Sequence, residues 1–255
     1  MKRISTRFSM VMAGMVVACN AAQAQSGNNC AGLPTHAQLK AALSPIVGPV
    51  NGGLGYPMWA TVVNKYGVVC AVAASTDDIT KIWLNSRVIS AQKAYTANGF
   101  STDKLALSTA NLFAAVQPGG SLYGLQHSNP VDPRVVYRGN PTNYGVANDP
   151  MVGLKPGGIN VFGGGLALYS NKTTRIGAVG VSGDTSCADH NIAWKLRTAL
   201  AALPEPVSII NGVPGGVGSN NSDNIIYATS GAPTGFQHAL CGFDETTVVL
   251  PPLTE

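Results

Sequence analysis

The sequence predicts an α+β fold, a twisted antiparallel sheet with helices packed on it. Three observations carry this. The elements read helix, hairpin, two helices, strands, helix, which is not the strand–helix alternation of a doubly wound sheet. The β-branched apolar runs are bounded by short turn signals, as in hairpins. Of the 255 residues, 45% are apolar and 11% charged, so a sizeable core is expected and bulk disorder is excluded.

Thr35 with Gln38 forms a capping-box pattern, followed by Leu39, Leu43 and Ile46 at helical spacing, and Pro45 and Pro49 stop this helix early. Residues 58–65 and 68–74 flank Tyr66-Gly67 and read as a hairpin. Asp77 or Asp78 is expected to cap a second helix reaching Asn98, with Gly99 as its stop. A third helix is expected over 103–116, with Leu105, Leu112, Phe113 and Val116 as core candidates. Residues 121–158 are rich in Pro, Gly, Asn and Tyr without a period, the mark of a long functional or disordered loop. Strands are expected over 159–162, 166–170 and 174–181, then a helix over 187–203 ended by Pro204 and Pro206. Short strands over 207–210 and 224–228 would lie in a Gly-rich tail.

Met1 to Ala24 reads as a secretory signal: basic residues, the apolar run 8–18, and Ala22-Gln23-Ala24 as a cleavage site. Val16 to Cys19 also resembles a lipoprotein box, though the Ala-x-Ala site suits ordinary cleavage. No later stretch is long enough to span a bilayer. Without Lys2, Arg3 and Arg7 the 16 basic residues fall to 13 against 12 acidic ones, so the formal charge of +4 carries no nucleic-acid footprint. Export leaves Cys30, Cys70, Cys187 and Cys241, an even set in an oxidising compartment. Three pairings are open, and we favour Cys30–Cys241 with Cys70–Cys187, which would tie down both ends of the chain.

Two stretches hold candidate site residues. Ser182, Gly183 and Asp184 lie at a strand–Gly turn–helix junction that could bind an anion, or simply cap the helix through Asp184, Ser186 or Asp189. Ser182 is not a Gly-x-Ser-x-Gly elbow, because the second glycine comes one place early. In the following helix Ile192, Leu196, Ala199 and Leu203 form the core stripe. His190, Trp194 and Arg197 fall opposite, and a tryptophan there needs a cover: a ligand, a second subunit, or the tail. A planar anion would stack on Trp194, pair a carboxylate with Arg197 and bring a metal to His190. Tyr123, His127, Arg134, Tyr137 and Arg138 form the second set, with His127 as the other candidate for haem iron. Any one of these also reads as a side chain packing the loop down. His36 reads as a surface helix residue and His238 as structural.

Residues 60–72, 89–100, and 163–169 with 177–183 and Asp189 resemble, in order, three motifs of the GlcG/HbpS family of haem-binding-like proteins. These are the first hairpin, with Asn64 where Asp is usual; a helix matching at Ala91, Lys93, Ala94, Thr96, Ala97 and Phe100; and the Gly-Gly strand with the Gly-Val-Ser-Gly turn, where Ala167 replaces Pro. The resemblance implies a profilin-like α+β fold, homo-oligomers, and haem or another tetrapyrrole as ligand for some members. It places the domain at 25–203, with 121–158 as an insertion and 204–255 as a C-terminal extension packed on the same domain. It carries over no iron ligand. The leading expectation is an exported, periplasmic or secreted binding protein for haem or a similar planar anion. An enzyme on a small organic acid or aromatic catabolite, and a non-catalytic oligomeric interaction protein, are the alternatives. No paired-acid, metal-ligand or nucleophile–base signature stands in the sequence.

Overall fold

The computed structural model describes residues 29–229 and 235–254; the expected signal segment and the lipoprotein box lie outside them. Helix α1 (His36–Leu43) is followed by strands β1 (Trp59–Asn64) and β2 (Val69–Ala74), then helix α2 (Ser86–Phe100). Two one-turn helices, α3 (Leu125–Ser128) and α4 (Pro133–Val136), lie in the long insertion. Strands β3 (Gly165–Asn171) and β4 (Thr174–Ser182) and helix α5 (Ser186–Ala201) follow. The four strands form one antiparallel sheet in the order β2-β1-β4-β3.

Strand alternation divides the core. Ala60 and Val62 of β1, Ala71 and Ala73 of β2, and Val179 and Val181 of β4 face α1 and α5, meeting Leu39, Leu43, Ile192, Leu196 and Leu200. Trp59, Val63, Val72 and Ala178 face the other way, against Val88, Ala91, Ala94 and Ala97 of α2. The sheet is thus sandwiched, with α2 on one face and α1 with α5 on the other. Gly180 permits this closeness: a Cβ there would stand 2.0 Å from the Ser90 carbonyl oxygen and 2.4 Å from the Ala94 nitrogen.

The α1 capping box is present in full, with Thr35 and Gln38 each satisfying the other's backbone N–H. Thr35→Ala is expected to lower stability by about 1 kcal/mol, read as a shift in denaturant midpoint. An unchanged midpoint would show that the cap contributes nothing. The first hairpin turns where Asn64 Oδ1 accepts from the N–H groups of Tyr66 (2.9 Å) and Val68 (3.1 Å), with Gly67 at φ +78°.

Several expectations need correction. Asp78 caps only the 3₁₀ turn Ile79–Lys81, and α2 begins at Ser86. Its chain is interrupted where the Trp83 carbonyl accepts the Trp59 indole N–H at 3.0 Å. Gly99 does not end α2: it is not among the left-handed glycines that stop helices, and the helix runs on to Phe100 with Ser101 as its C-cap. The helix expected over 103–116 is two 3₁₀ turns, Thr109–Leu112 and Ala114–Val116. Thr102 Oγ1 captures the Leu105 N–H, and Ser108 with Asn111 forms a capping box, its N-cap extended, so that winding starts only at Thr109. Leu112 and Val116 are buried there, whereas Leu105 is exposed. Residues 159–162 form no strand, and the tail segments 207–210 and 224–228 make only the single bridges Tyr169–Ile210 and Tyr227–His238.

The disulfide pairing is also corrected. Cys30 bonds Cys70, and Cys187 bonds Cys241, with Cα separations of 5.8 and 6.1 Å. The first ties the N-terminal segment to β2 and the second ties the tail to the start of α5. Nearness to the chain ends was a poor guide, because each bond joins segments that pack side by side. The two bonds indicate an oxidising compartment. Among the described residues no helix is long and apolar enough to cross a membrane.

Candidate functional site

Helix α5 starts at the N-cap Thr185, whose Oγ1 accepts from the Ala188 N–H, so Asp184, Ser186 and Asp189 are all free for other work. Asp189 turns back and accepts the N–H groups of Gly183 (3.1 Å) and Asp184 (2.9 Å). Its other oxygen pairs with Lys93 at 2.6 Å in the protein interior. Burial pushes the Asp189 carboxyl up to about 6 and the Lys93 ammonium down, against their mutual attraction. Asp184 accepts in turn from Leu54, Gly55 and Tyr56 at 2.7–3.0 Å. Ser182, Gly183 and Asp184 therefore do not form an open anion turn. The anion that this turn holds is the chain's own Asp189.

His190, Trp194 and Arg197 do share one face of α5, and the C-terminal extension covers it. Arg197 and Asp223 form a bidentate ion pair (2.7 and 2.9 Å) with both side chains fully buried. The guanidinium also lies 4.6 Å from the Trp194 ring centroid. Trp194 donates its indole N–H to the Pro251 carbonyl at 2.8 Å. His190 Nε2 accepts the Ile225 N–H at 3.1 Å and stands 3.0 Å from Asn224 Oδ1. The tail thus offers this face a carboxylate, an amide and a carbonyl, the groups a polar ligand would bring. Burial holds the His190 imidazole down to about 4, and its Nδ1 has no protein partner.

The cover leaves a space. A cavity of about 650 Å³ lies against Trp194, between Val213–Asn224 and Leu250–Thr254 of the tail, with Lys172 from the β3–β4 turn. That size falls within the range of small-molecule sites. Trp194, Val213, Leu250 and Leu253 supply apolar wall; Asn220, Asn221, Asn224 and Lys172 supply polar groups and one positive charge. This cavity was not legible in the sequence, because more than half of its wall comes from an aperiodic tail.

The second set stands apart. Tyr123, His127 and Arg134 are exposed on the insertion, and none lines the cavity. Arg134 pairs with its neighbour Asp132 at 3.0 Å. Tyr137 and Arg138 are exposed too. The insertion is anchored instead by Arg87 of α2, which is buried, pairs with Asp149 and lies 3.7 Å from the Tyr144 ring. His36 bonds the Gly145 carbonyl at 2.8 Å, and so also fastens the insertion.

An iron ligand does not fit the cavity. Among the described residues, its wall holds no His, Cys, Tyr or Met. His190 is sealed beneath Asn224 and Ile225, which corrects its assignment as the metal-binding residue. His127 is open to solvent on α3, outside the cavity.

A sheet carrying α2 on one face and α1 with α5 on the other, with a cavity at α5, defines an α+β fold. More particularly, the chain belongs to the family described as haem degrading protein HbpS-like, whose model matches residues 35–197. Asp223, Asn224 and Pro251 all lie beyond that match. Two solved structures are similar to it. PduOC, crystallised as a haem complex, is 24% identical over 64% of this chain and 89% of its own, with a TM-score of 0.43. The Klebsiella pneumoniae protein ORFY, assigned to DUF336, is 27% identical over 67% and 92%, with a TM-score of 0.46. The comparison with curated proteins finds no match.

Proposed function

We propose that the protein is an exported binding protein for a planar, carboxylate-bearing ligand of the tetrapyrrole class, held in the cavity beside Trp194. The observation that carries this reading is the cavity itself, with an indole in its wall and Lys172 at its edge. Apolar contact with Val213, Leu250 and Leu253 beside the edge of Trp194, and pairing of a carboxylate with Lys172, supply the contacts. The family description supports the ligand class, since it names haem. Without an iron ligand in the wall, the macrocycle and its carboxylates are recognised rather than the metal. The two disulfides and the expected signal segment support export.

The test is a titration of the chain from Gln25 with haemin and with metal-free protoporphyrin IX. Tryptophan quenching and the Soret band are followed, with light scattering on the same samples to read the expected homo-oligomer. Both porphyrins are expected to bind saturably, with dissociation constants within about tenfold of each other. Lys172→Ala, on an exposed turn, is expected to weaken both by about threefold to tenfold. Binding of haemin alone, abolished by His127→Ala, would overturn the reading and place the site on the insertion.

A further inference from the structure

We propose that Ser186 and His238 form a nucleophile–base pair that accepts the acyl group of apolar carboxylic esters. The two residues are 52 apart in sequence, and the tail brings Ser186 Oγ to 2.7 Å from His238 Nε2. The other ring nitrogen, Nδ1, lies 2.7 Å from the Ala239 carbonyl oxygen. A carbonyl only accepts, so Nδ1 carries the hydrogen and Nε2 presents its lone pair to the serine hydroxyl. This is the polarity of an activated serine, with a backbone carbonyl orienting the base where a triad has a carboxylate. Ser186 Oγ also accepts the Gly163 N–H at 2.7 Å, which fixes its position at the head of α5. Burial is the main cause that lowers the His238 pKa, which keeps the ring unprotonated at neutral pH.

Ser186 is only half-buried. Phe113 lies 4.6 Å from the His238 ring and 6.5 Å from Phe162. Phe162, which precedes Gly163, is 45% exposed, and Leu240, just after the carbonyl that holds the ring, is 51% exposed. His238 is itself buried, so an ester reaches the pair from the Ser186 side, where Phe162, next to Gly163, gives it an apolar neighbour and selects an apolar ester. Ser186 Oγ bonds to the ester carbonyl carbon as its proton passes to Nε2. The bond to the alcohol oxygen then breaks as Nε2 returns that proton to the leaving alcohol. Water repeats the sequence, giving the free acid and the free serine. His238 lies outside the family match, and neither Ser186 nor His238 lines the cavity, so the pair is separate from the ligand proposed there.

The test treats the intact disulfide-bonded protein with an alkyl fluorophosphonate and follows it by intact-mass and peptide mass spectrometry. Hydrolysis of p-nitrophenyl butyrate is measured in parallel. One adduct on Ser186 is expected, with ester hydrolysis lost in Ser186→Ala and labelling slowed by about 100-fold or more in His238→Gln. The wild-type labelling rate is expected to fall as acid protonates His238, a readout that needs no variant and that a purely structural hydrogen bond would not give. No adduct, an adduct elsewhere, a flat pH profile, or wild-type labelling of a folded His238→Gln protein would each overturn the proposal.

Discussion

Asp223→Ala is expected to destabilise the protein by about 3–5 kcal/mol, because it leaves the Arg197 guanidinium buried without its partner. Both side chains are fully inaccessible, and the bidentate pair links α5 to the tail. Arg197 Nε has no protein partner even with Asp223 in place, and the Trp194 ring beside the guanidinium offers the charge only a weak cation–π contact. The double variant Arg197→Met with Asp223→Leu is expected to recover most of the loss, since it removes both charges while keeping volume. Urea denaturation measures the stability, and limited proteolysis reads the release of the tail. A loss under about 1 kcal/mol, the size of a surface pair, would mean that the extension is not docked on α5 in solution.

Acid should weaken the same region. The unfolded chain protonates His190 near its ordinary 6.5, whereas burial holds the folded imidazole down to about 4. Between those values the unfolded state binds the proton and the folded state does not. The stabilising contribution is therefore full above pH 6.5 and is lost as the pH falls toward 4, by about 3 kcal/mol. The Asp223 carboxylate partly offsets the burial, while Arg197 and His238 reinforce it. His238, whose pKa burial also lowers, contributes in the same direction. Asp189, pushed up to about 6 against Lys93, works in the opposite sense, so the informative comparison is wild type against His190→Gln. Melting curves from pH 7 to 4 are expected to converge, with the wild type losing more. Parallel curves would show that His190 is not buried neutral.

The sheet and its two long flanking helices were legible because their signals are local. The pairs 58–65 with 68–74 and 166–170 with 174–181 are β-branched or apolar runs joined by turn residues; α5 carries an apolar stripe with Ile192 and Leu196, and α2 carries Ala91, Ala94 and Ala97 at helical spacing. Trp194 opposite the α5 core stripe showed in the same way that something covers that face. What covers it was not legible. Asp223, Asn224 and Pro251 reach α5 from 26 to 57 residues away, through Gly- and Pro-rich chain without a period. The Cys187–Cys241 bond and the Ser186–His238 contact depend on the same return of the tail. The failed helix over 103–116 has a different cause. Its apolar spacing is helical, but Thr102, Ser108 and Asn111 hydrogen-bond the backbone locally and win.

On the proposed reading, the tail and α5 together build the ligand site. Amide hydrogen exchange with and without protoporphyrin IX tests it most directly. Slowed exchange is expected over 213–224 and 250–254, the tail segments that wall the cavity, with little change over 121–138. Protection confined to 121–138, around Tyr123, His127 and Arg134, would contradict the account, as would an unchanged tail at saturating porphyrin.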